Sequence, residues 1–254
     1  MYTDPSGHSQ NCGPDGVFCD NDPDNDYDYV APGQSISEWT ESFISHYASL
    51  YGIEFTGDSW TLEGKIFVLL GVMAVGEKLG SVLSLSGAEA FRATYGVDSK
   101  NTFQFQIGKC EECQGKGAFT HGSRHIEFSI TNPFFNPGDY RSNALAFEMN
   151  VHEVIHELGH AFNDRKSSVP EGAVPSNLIG LEGFSSEPPG GQGLWTPQYD
   201  IKNESEAFAN MFLGWVYGEW GNNKMGGKRA EFMTNMTVLA DGSKGWAFQA
   251  AGIP

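Results

Sequence analysis

Residues Val151–Phe162 read Val-His-Glu-Val-Ile-His-Glu-Leu-Gly-His-Ala-Phe. His-Glu-x-x-His occurs twice there, in overlapping frames: His152-Glu153…His156 and His156-Glu157…His160. On an α-helix, residues i and i+4 lie one turn apart. Two imidazoles so spaced converge on one ion, and the Glu after the first His faces water held by that ion. Zinc lowers the pKa of such a water toward neutrality, and the Glu can take its proton and pass it to a leaving group. Both frames use the same helical face. We favour His156 and His160 as metal ligands with Glu157 as general base, because Gly159 leaves room beside the metal and the helix runs on into apolar Ala161-Phe162. His152 then stands one turn before the first ligand, where it supports that ligand or lines the substrate cleft. The alternatives are the earlier frame, and three histidines that serve as surface or core residues without a metal.

A third ligand must come from elsewhere. A metzincin needs Gly and His three and six residues after the second ligand, and Asn163 and Lys166 stand there instead, which excludes that class. Downstream, residues 203–212 read Asn-Glu-Ser-Glu-Ala-Phe-Ala-Asn-Met-Phe. Phe208, Phe212 and Trp215 form the apolar stripe of a helix, and Glu206 lies near enough to it to look inward. Glu204 falls in the first turn, where a carboxylate complements the helix dipole. Glu206 is therefore the expected third ligand. Asn210, one turn later, is placed to accept from a ligand imidazole and hold its tautomer.

His-Glu-Leu-Gly-His-Ala-Phe followed by Tyr199-(x)6-Glu206-Ala-Phe-Ala-Asn-Met-Phe resembles the gluzincin peptidases related to the anthrax lethal factor catalytic domain, which include the bacterial Pro-Pro endopeptidases. The resemblance covers residues 151–212. It implies an α+β, zincin-like metallopeptidase fold: a small mixed sheet, an active-site helix and a mainly helical C-terminal part. It implies one catalytic zinc on His156, His160 and Glu206, with Glu157 as general base and Tyr199 as donor to the tetrahedral oxyanion. A phenol suits that last role because it stabilises developing charge without carrying charge. The chain departs from the pattern at Asn210, where the family commonly has an acidic residue. Zincin architecture also implies that an edge strand before the active-site helix pairs with an extended substrate, and Arg124–Thr131 is placed to do so. The function expected is zinc-dependent endopeptidase action on a peptide or protein substrate. The alternative is a catalytically silent zinc protein that serves as a binding module on a peptidase scaffold.

The elements that must position these residues can be read from periodicity. Ser35 or Ser37 caps a helix with Trp39, Phe43, Ile44, Tyr47 and Leu50–Tyr51 on one stripe, stopped by Gly52. A second helix runs from about Thr61 to Leu79, and its apolar run Ile66–Val75 reads as buried. A third starts at the capping box Ser86-Gly-Ala-Glu89 and ends at Gly96. These make a helical layer over 34–100. Strands follow within 101–131: Thr102–Gly108, then Arg124–Thr131, with Ile126, Phe128 and Ile130 on one face and His125, Glu127 and Ser129 on the other. Helices are expected over about Ser142–Phe162, Asn203–Tyr217 and 227–239, so that 142–254 holds the active-site and C-terminal helices. A Gly- and Pro-rich loop over 166–198 varies most among such enzymes, and its Leu178, Ile179, Phe184, Trp195 and neighbouring prolines are candidates to line the substrate pocket.

Composition bounds the partners. Fifteen Lys+Arg against 32 Asp+Glu give −17 in 254 residues, which argues against nucleic acid or an anionic membrane as partner. No run of about 18 apolar residues is apparent, so no bilayer span is expected. Residues 1–33 form a separate acidic segment, and the seven Asp of residues 1–30 supply −7 of the −17. It reads first as a solvated linker, with an irregular calcium loop on Asp20, Asp22, Asp24 and Asp26 as the alternative. An EF-hand is ruled out because Ala31 stands where the bidentate Glu belongs. Four cysteines, Cys12, Cys19, Cys110 and Cys113, are disulfide candidates. Their even number in an acidic, Lys-poor chain points to a secreted or extracellular protein, although no signal peptide follows Met1. A four-thiolate zinc site would need a second C-x-x-C. Oligomeric state is not readable.

Overall fold

The computed structural model describes residues 41–111, 113, 117–129, 144–165, 174–179, 204–218, 220 and 224–254. The expectations for Cys12, Cys19, Asp20, Asp22, Asp24, Asp26, Tyr199 and most of the loop 166–198 lie outside them. The fold is α+β, with seven α-helices and a four-stranded mixed sheet among the described residues.

Helix α1 (Glu41–Tyr51) leads directly into strand β1 (Ile53–Thr56), which sequence analysis missed because four residues are too few to show a period. Helix α2 (Leu62–Leu83) is capped by Thr61, whose side chain accepts from the Gly64 N–H. Helix α3 (Gly87–Tyr95) carries the full capping box expected at Ser86 and Glu89, and it stops at Gly96 in the left-handed conformation. Together, α2 and α3 form the crossover between β1 and strand β2 (Phe103–Gly108), which run parallel with Ile53 opposite Phe103. A second parallel pairing joins β2 to strand β4 (His125–Ser129), and a short strand β3 (Ala118–Thr120) runs antiparallel to β4.

The strand order is β1-β2-β4-β3. This corrects the expectation for Arg124–Thr131. That segment is an interior strand with neighbours on both sides, and Arg124 belongs to a 3₁₀ turn before it. The edges among the described residues are β1 and β3, the latter a three-residue strand with no alternation to detect.

Phe103, Phe105, Ile107, Ile126 and Phe128 point into one core with the helices, and the Phe105 and Phe128 rings stack 6.4 Å apart. Gln104, Gln106, His125 and Glu127 occupy the other face, as the alternation requires. Ser129, which the alternation groups with them, is buried.

Helix α2 is apolar on all sides because it is buried on nearly all sides, with 78 % of its most apolar window enclosed by the protein. Its length and composition would suffice to cross a membrane, so the expectation that no segment is apolar enough is corrected. The buried-helix reading of Ile66–Val75 holds. At Gly71 a Cβ would lie 2.6 Å from Val154 Cγ1, so the glycine lets α2 cross against helix α4 (Ala144–Asn163). Tyr95, fully buried on α3, donates from its hydroxyl to the main-chain oxygen of Leu158 at 3.0 Å. Helix α4 is thus fixed by α2 through close packing and by α3 through a hydrogen bond.

Helix α5 (Glu204–Tyr217) lies against α4. Helix α6 (Lys224–Met233) ends earlier than the expected 227–239 because a 3₁₀ turn and a tight reversal follow, with Val238 bridging to Lys244. Helix α7 (Trp246–Ala250) is too short for a periodic signature. All these elements contribute to one hydrophobic cluster, from Ile44 on α1 to Ala250 on α7.

Candidate metal centre

The doubled His-Glu-x-x-His lies in the C-terminal half of α4, with both of its faces packed. His152, Glu153, His156 and Glu157 are all buried and His160 is partly exposed. Burying three carboxylate- or imidazole-bearing turns is costly unless their charges are matched. What matches them comes from α5.

His156 Nε2 and His160 Nε2 approach to 3.1 Å. Glu206 Oε2 stands 3.2 Å from the first and 3.5 Å from the second. These three edges have a simple chemical meaning. Ligands about 2.0–2.1 Å from a tetrahedral zinc are separated from one another by roughly 3.3–3.4 Å. Two imidazole nitrogens and one carboxylate oxygen therefore stand at the mutual spacing of three zinc ligands. Two Nε2 lone pairs facing at 3.1 Å also repel unless a proton or a metal lies between them. The donor set fits zinc in type, number and spacing.

The electrostatics point the same way. Burial alone would push the His156 imidazole down. The hydrogen bond that the imidazole donates to Glu206, with the charges of Glu157, Glu153 and Glu206, outweighs it and raises the pKa from 6.5 to about 9. Glu206 is held far below the usual carboxylate range, chiefly by its hydrogen bonds to His156 and then to His160. The carboxylates around the imidazole pair favour positive charge there.

His156, Glu157 and His160 also offer donor atoms within 4.8 Å of one another. Glu157 and Glu206 are thus rival third ligands, and their other contacts separate them. Glu157 Oε2 accepts from the Thr120 hydroxyl at 2.6 Å, across from β3, whereas Glu206 Oε2 faces both imidazoles. Glu206 is the ligand candidate and Glu157 the base candidate, as the spacing predicts.

The second contact to a ligand differs from expectation. Nδ1 of His160 lies 2.9 Å from Ser205 Oγ, so the residue before the third ligand, rather than Asn210, orients this imidazole. An Nδ1–H donated to Ser205 leaves the Nε2 lone pair facing the site. Asn210 is buried one turn further along α5, and its Nδ2 finds no hydrogen-bond partner among the described residues. Among the described residues the donor cluster is His156, Glu157 and His160 and does not include His152, whose ring packs edge-on against Tyr217 with centroids 5.3 Å apart. Gly159, expected to leave room for a metal, instead makes room for α5. A Cβ there would lie 3.0 Å from both Ala209 Cα and Phe212 Cβ.

Thr120, Ser205 and this packing at Gly159 are not legible in the sequence. A Ser next to the candidate ligand Glu was a weak local signal, and Thr120 had none. Of the cysteines, Cys110 and Cys113 are joined in a disulfide just after β2, which excludes a thiolate zinc site on that pair. Comparisons of the chain with protein-family models, with curated proteins and with solved structures found no match.

Proposed function

We propose that this protein is a zinc-dependent peptide hydrolase of gluzincin type, with the zincin-like architecture that the sequence resemblance implies. One observation carries the proposal: His156, His160 and Glu206 present three donor atoms 3.1–3.5 Å apart, beside a Glu157 carboxylate tied back to the edge strand. Zinc held by these three residues would supply Lewis acidity and lower the pKa of water bound in its open position. Glu157 then serves as general base toward a water in the cleft and as general acid toward the departing amine. Ser205 keeps His160 in the tautomer that can ligate. Tyr199, as the resemblance implies, donates to the oxyanion that develops on the carbonyl.

The edge strand supports a peptide as substrate. His121 N–H donates to His125 O and Ser129 N–H to Gly117 O. The antiparallel alternation therefore turns the main-chain groups of Phe119 toward β4 and those of Ala118 and Thr120 away from it. An extended peptide can add there, directly beside α4, and gain affinity from main-chain hydrogen bonds. The Cys110–Cys113 disulfide, at the start of the connection leading to this strand, fits the proposed secreted or extracellular setting.

The test joins elemental analysis to a peptide library read by mass spectrometry. One zinc per chain is expected for the wild type, His152→Ala and Glu157→Gln, and loss of zinc for His156→Ala, His160→Ala and Glu206→Ala. Glu157→Gln should lower cleavage by about 10²–10⁴-fold, the usual contribution of general acid–base catalysis. A fully zinc-loaded wild type that cleaves nothing in the library would sink the peptidase reading in favour of the binding module. Retention of zinc by His160→Ala would shift the site to the earlier frame.

A further inference from the structure

Two carboxylates stand within reach of the same pair of imidazoles, yet hydrolysis needs only one of them as a ligand. A carboxylate bound to the metal cannot also carry a proton between water and leaving group. Glu206 reaches the pair from α5, while Glu157 sits between the two histidines on α4 itself. The helix alone does not decide which of the two binds.

The deciding contact comes from β3. Thr120 Oγ1 lies 2.6 Å from Glu157 Oε2 and 3.2 Å from the Glu157 main-chain oxygen. A hydroxyl has one proton, and the shorter approach, to the carboxylate oxygen, takes it. Thr120 is a stiff anchor, because it is β-branched and its strand is registered on β4 opposite Ile126. Its side chain faces α4 while that of Phe119, its neighbour, is exposed on the other face. We propose that Thr120 is a positioning residue that reserves Glu157 for proton transfer by holding its carboxylate out of the metal's coordination sphere. The inference rests on the zinc-hydrolase reading above and goes beyond it by assigning the separation of ligand and base to a residue of the edge strand.

Removing the hydroxyl frees Glu157 Oε2 to turn toward the imidazole pair and join Glu206 as a further ligand. Metal affinity is then retained or increased while turnover falls. A merely structural function for Thr120 would lower both together. The contrast can be read without any substrate. Cobalt(II) in place of zinc absorbs strongly in the visible when four-coordinate and much more weakly when a fifth or sixth ligand is added.

The experiment compares cobalt-loaded wild type, Thr120→Ser, Thr120→Val, Thr120→Ala and the double variant Thr120→Val/Glu157→Ala, with circular dichroism to confirm folding. Thr120→Ser should keep the wild-type band. Thr120→Val should lose about half or more of its intensity with no loss of cobalt affinity, and the double variant should regain the band because the intruding carboxylate is gone. Thr120→Ala answers the same question if Thr120→Val does not fold. A Thr120→Val or Thr120→Ala band superimposable on the wild type overturns the inference and leaves the zinc reading intact. A wild type that takes up no cobalt overturns the zinc reading, and this inference with it.

Discussion

Replacing Gly159 with alanine tests whether the spacing between α4 and α5 sets the donor triangle. Two opposed effects act on stability. In a helix interior, alanine is favoured over glycine by about 1 kcal/mol. The added Cβ, however, lands 3.0 Å from Ala209 Cα and from Phe212 Cβ, and 3.3 Å from Ala209 O. Two of these are main-chain atoms, so no side chain can rotate to relieve the contact and α5 must retreat by a few tenths of an ångström. Overpacking of this kind costs typically about 1–3 kcal/mol. The metal-free variant should therefore be between about 0 and 2 kcal/mol less stable than the wild type.

Zinc binding should suffer more than stability. Ala209 lies three residues after Glu206 on the same helix, so the retreat also moves the third ligand. Zinc–ligand distances tolerate only about 0.2 Å, which makes the displacement comparable to that tolerance. We expect a fall of about 10–100-fold in zinc affinity, the range seen when groups that support ligands are lost. Chemical denaturation of the metal-free protein and competition with a chromophoric chelator measure the two quantities separately. A Gly159→Ala variant that gains the full alanine stabilisation and binds zinc like the wild type would refute the argument, because α5 would then not depend on the glycine for its approach.

Zinc must displace a proton from His156, whose pKa in the metal-free fold is about 9. Apparent zinc affinity should therefore rise about tenfold per pH unit from 6.5 and level off near 9. Stability of the metal-free protein runs the other way. A pKa raised in the fold contributes stability that is complete below the ordinary 6.5 and is lost as pH rises through 9. Glu206, lowered by the same imidazoles, contributes above its ordinary 4.5 and loses that contribution on acidification. Zinc affinity that stays flat from pH 6.5 to 9 would contradict His156 as a ligand. Ser205→Ala should weaken zinc binding by about 10–100-fold through loss of the contact to His160 Nδ1, whereas Asn210→Ala should act chiefly on stability. Equal zinc affinities for these two variants would reject Ser205 as the orienting residue.

How much could be read in advance depended on how far apart in sequence the interacting residues lie. The capping box at Ser86 and Glu89, the end of α1 before Gly52 and the alternation of Ile126 and Phe128 in β4 all come from neighbours within one turn or one pleat, and the structure shows each of them. Strands of three and four residues escaped because they are shorter than the window a period needs, and with them went the identity of both edges. An interior strand and an edge strand can share the same alternation. The difference lies in whether another strand pairs on the second side, and that depends on residues far away in the chain.

The same division runs through the site. Helical geometry alone places His156, Glu157 and His160 on one face, because 3.6 residues per turn brings i and i+4 together whatever surrounds them. An apolar stripe likewise suffices to nominate Glu206 on the next helix. Folding decides the rest. Which frame gathers a third donor follows from α5 bringing Glu206 to His156 and His160, while Tyr217 packs on His152. Ser205, and not Asn210, meets His160 because of how α5 docks on α4, where Gly159 admits Ala209 and Phe212. Glu157 is separated from Glu206 in function by a hydroxyl 37 residues away in the chain, on a strand placed by its neighbours. Spacing along one helix is a property of the backbone, whereas the meeting of α4, α5 and β3 is a property of the core that holds them.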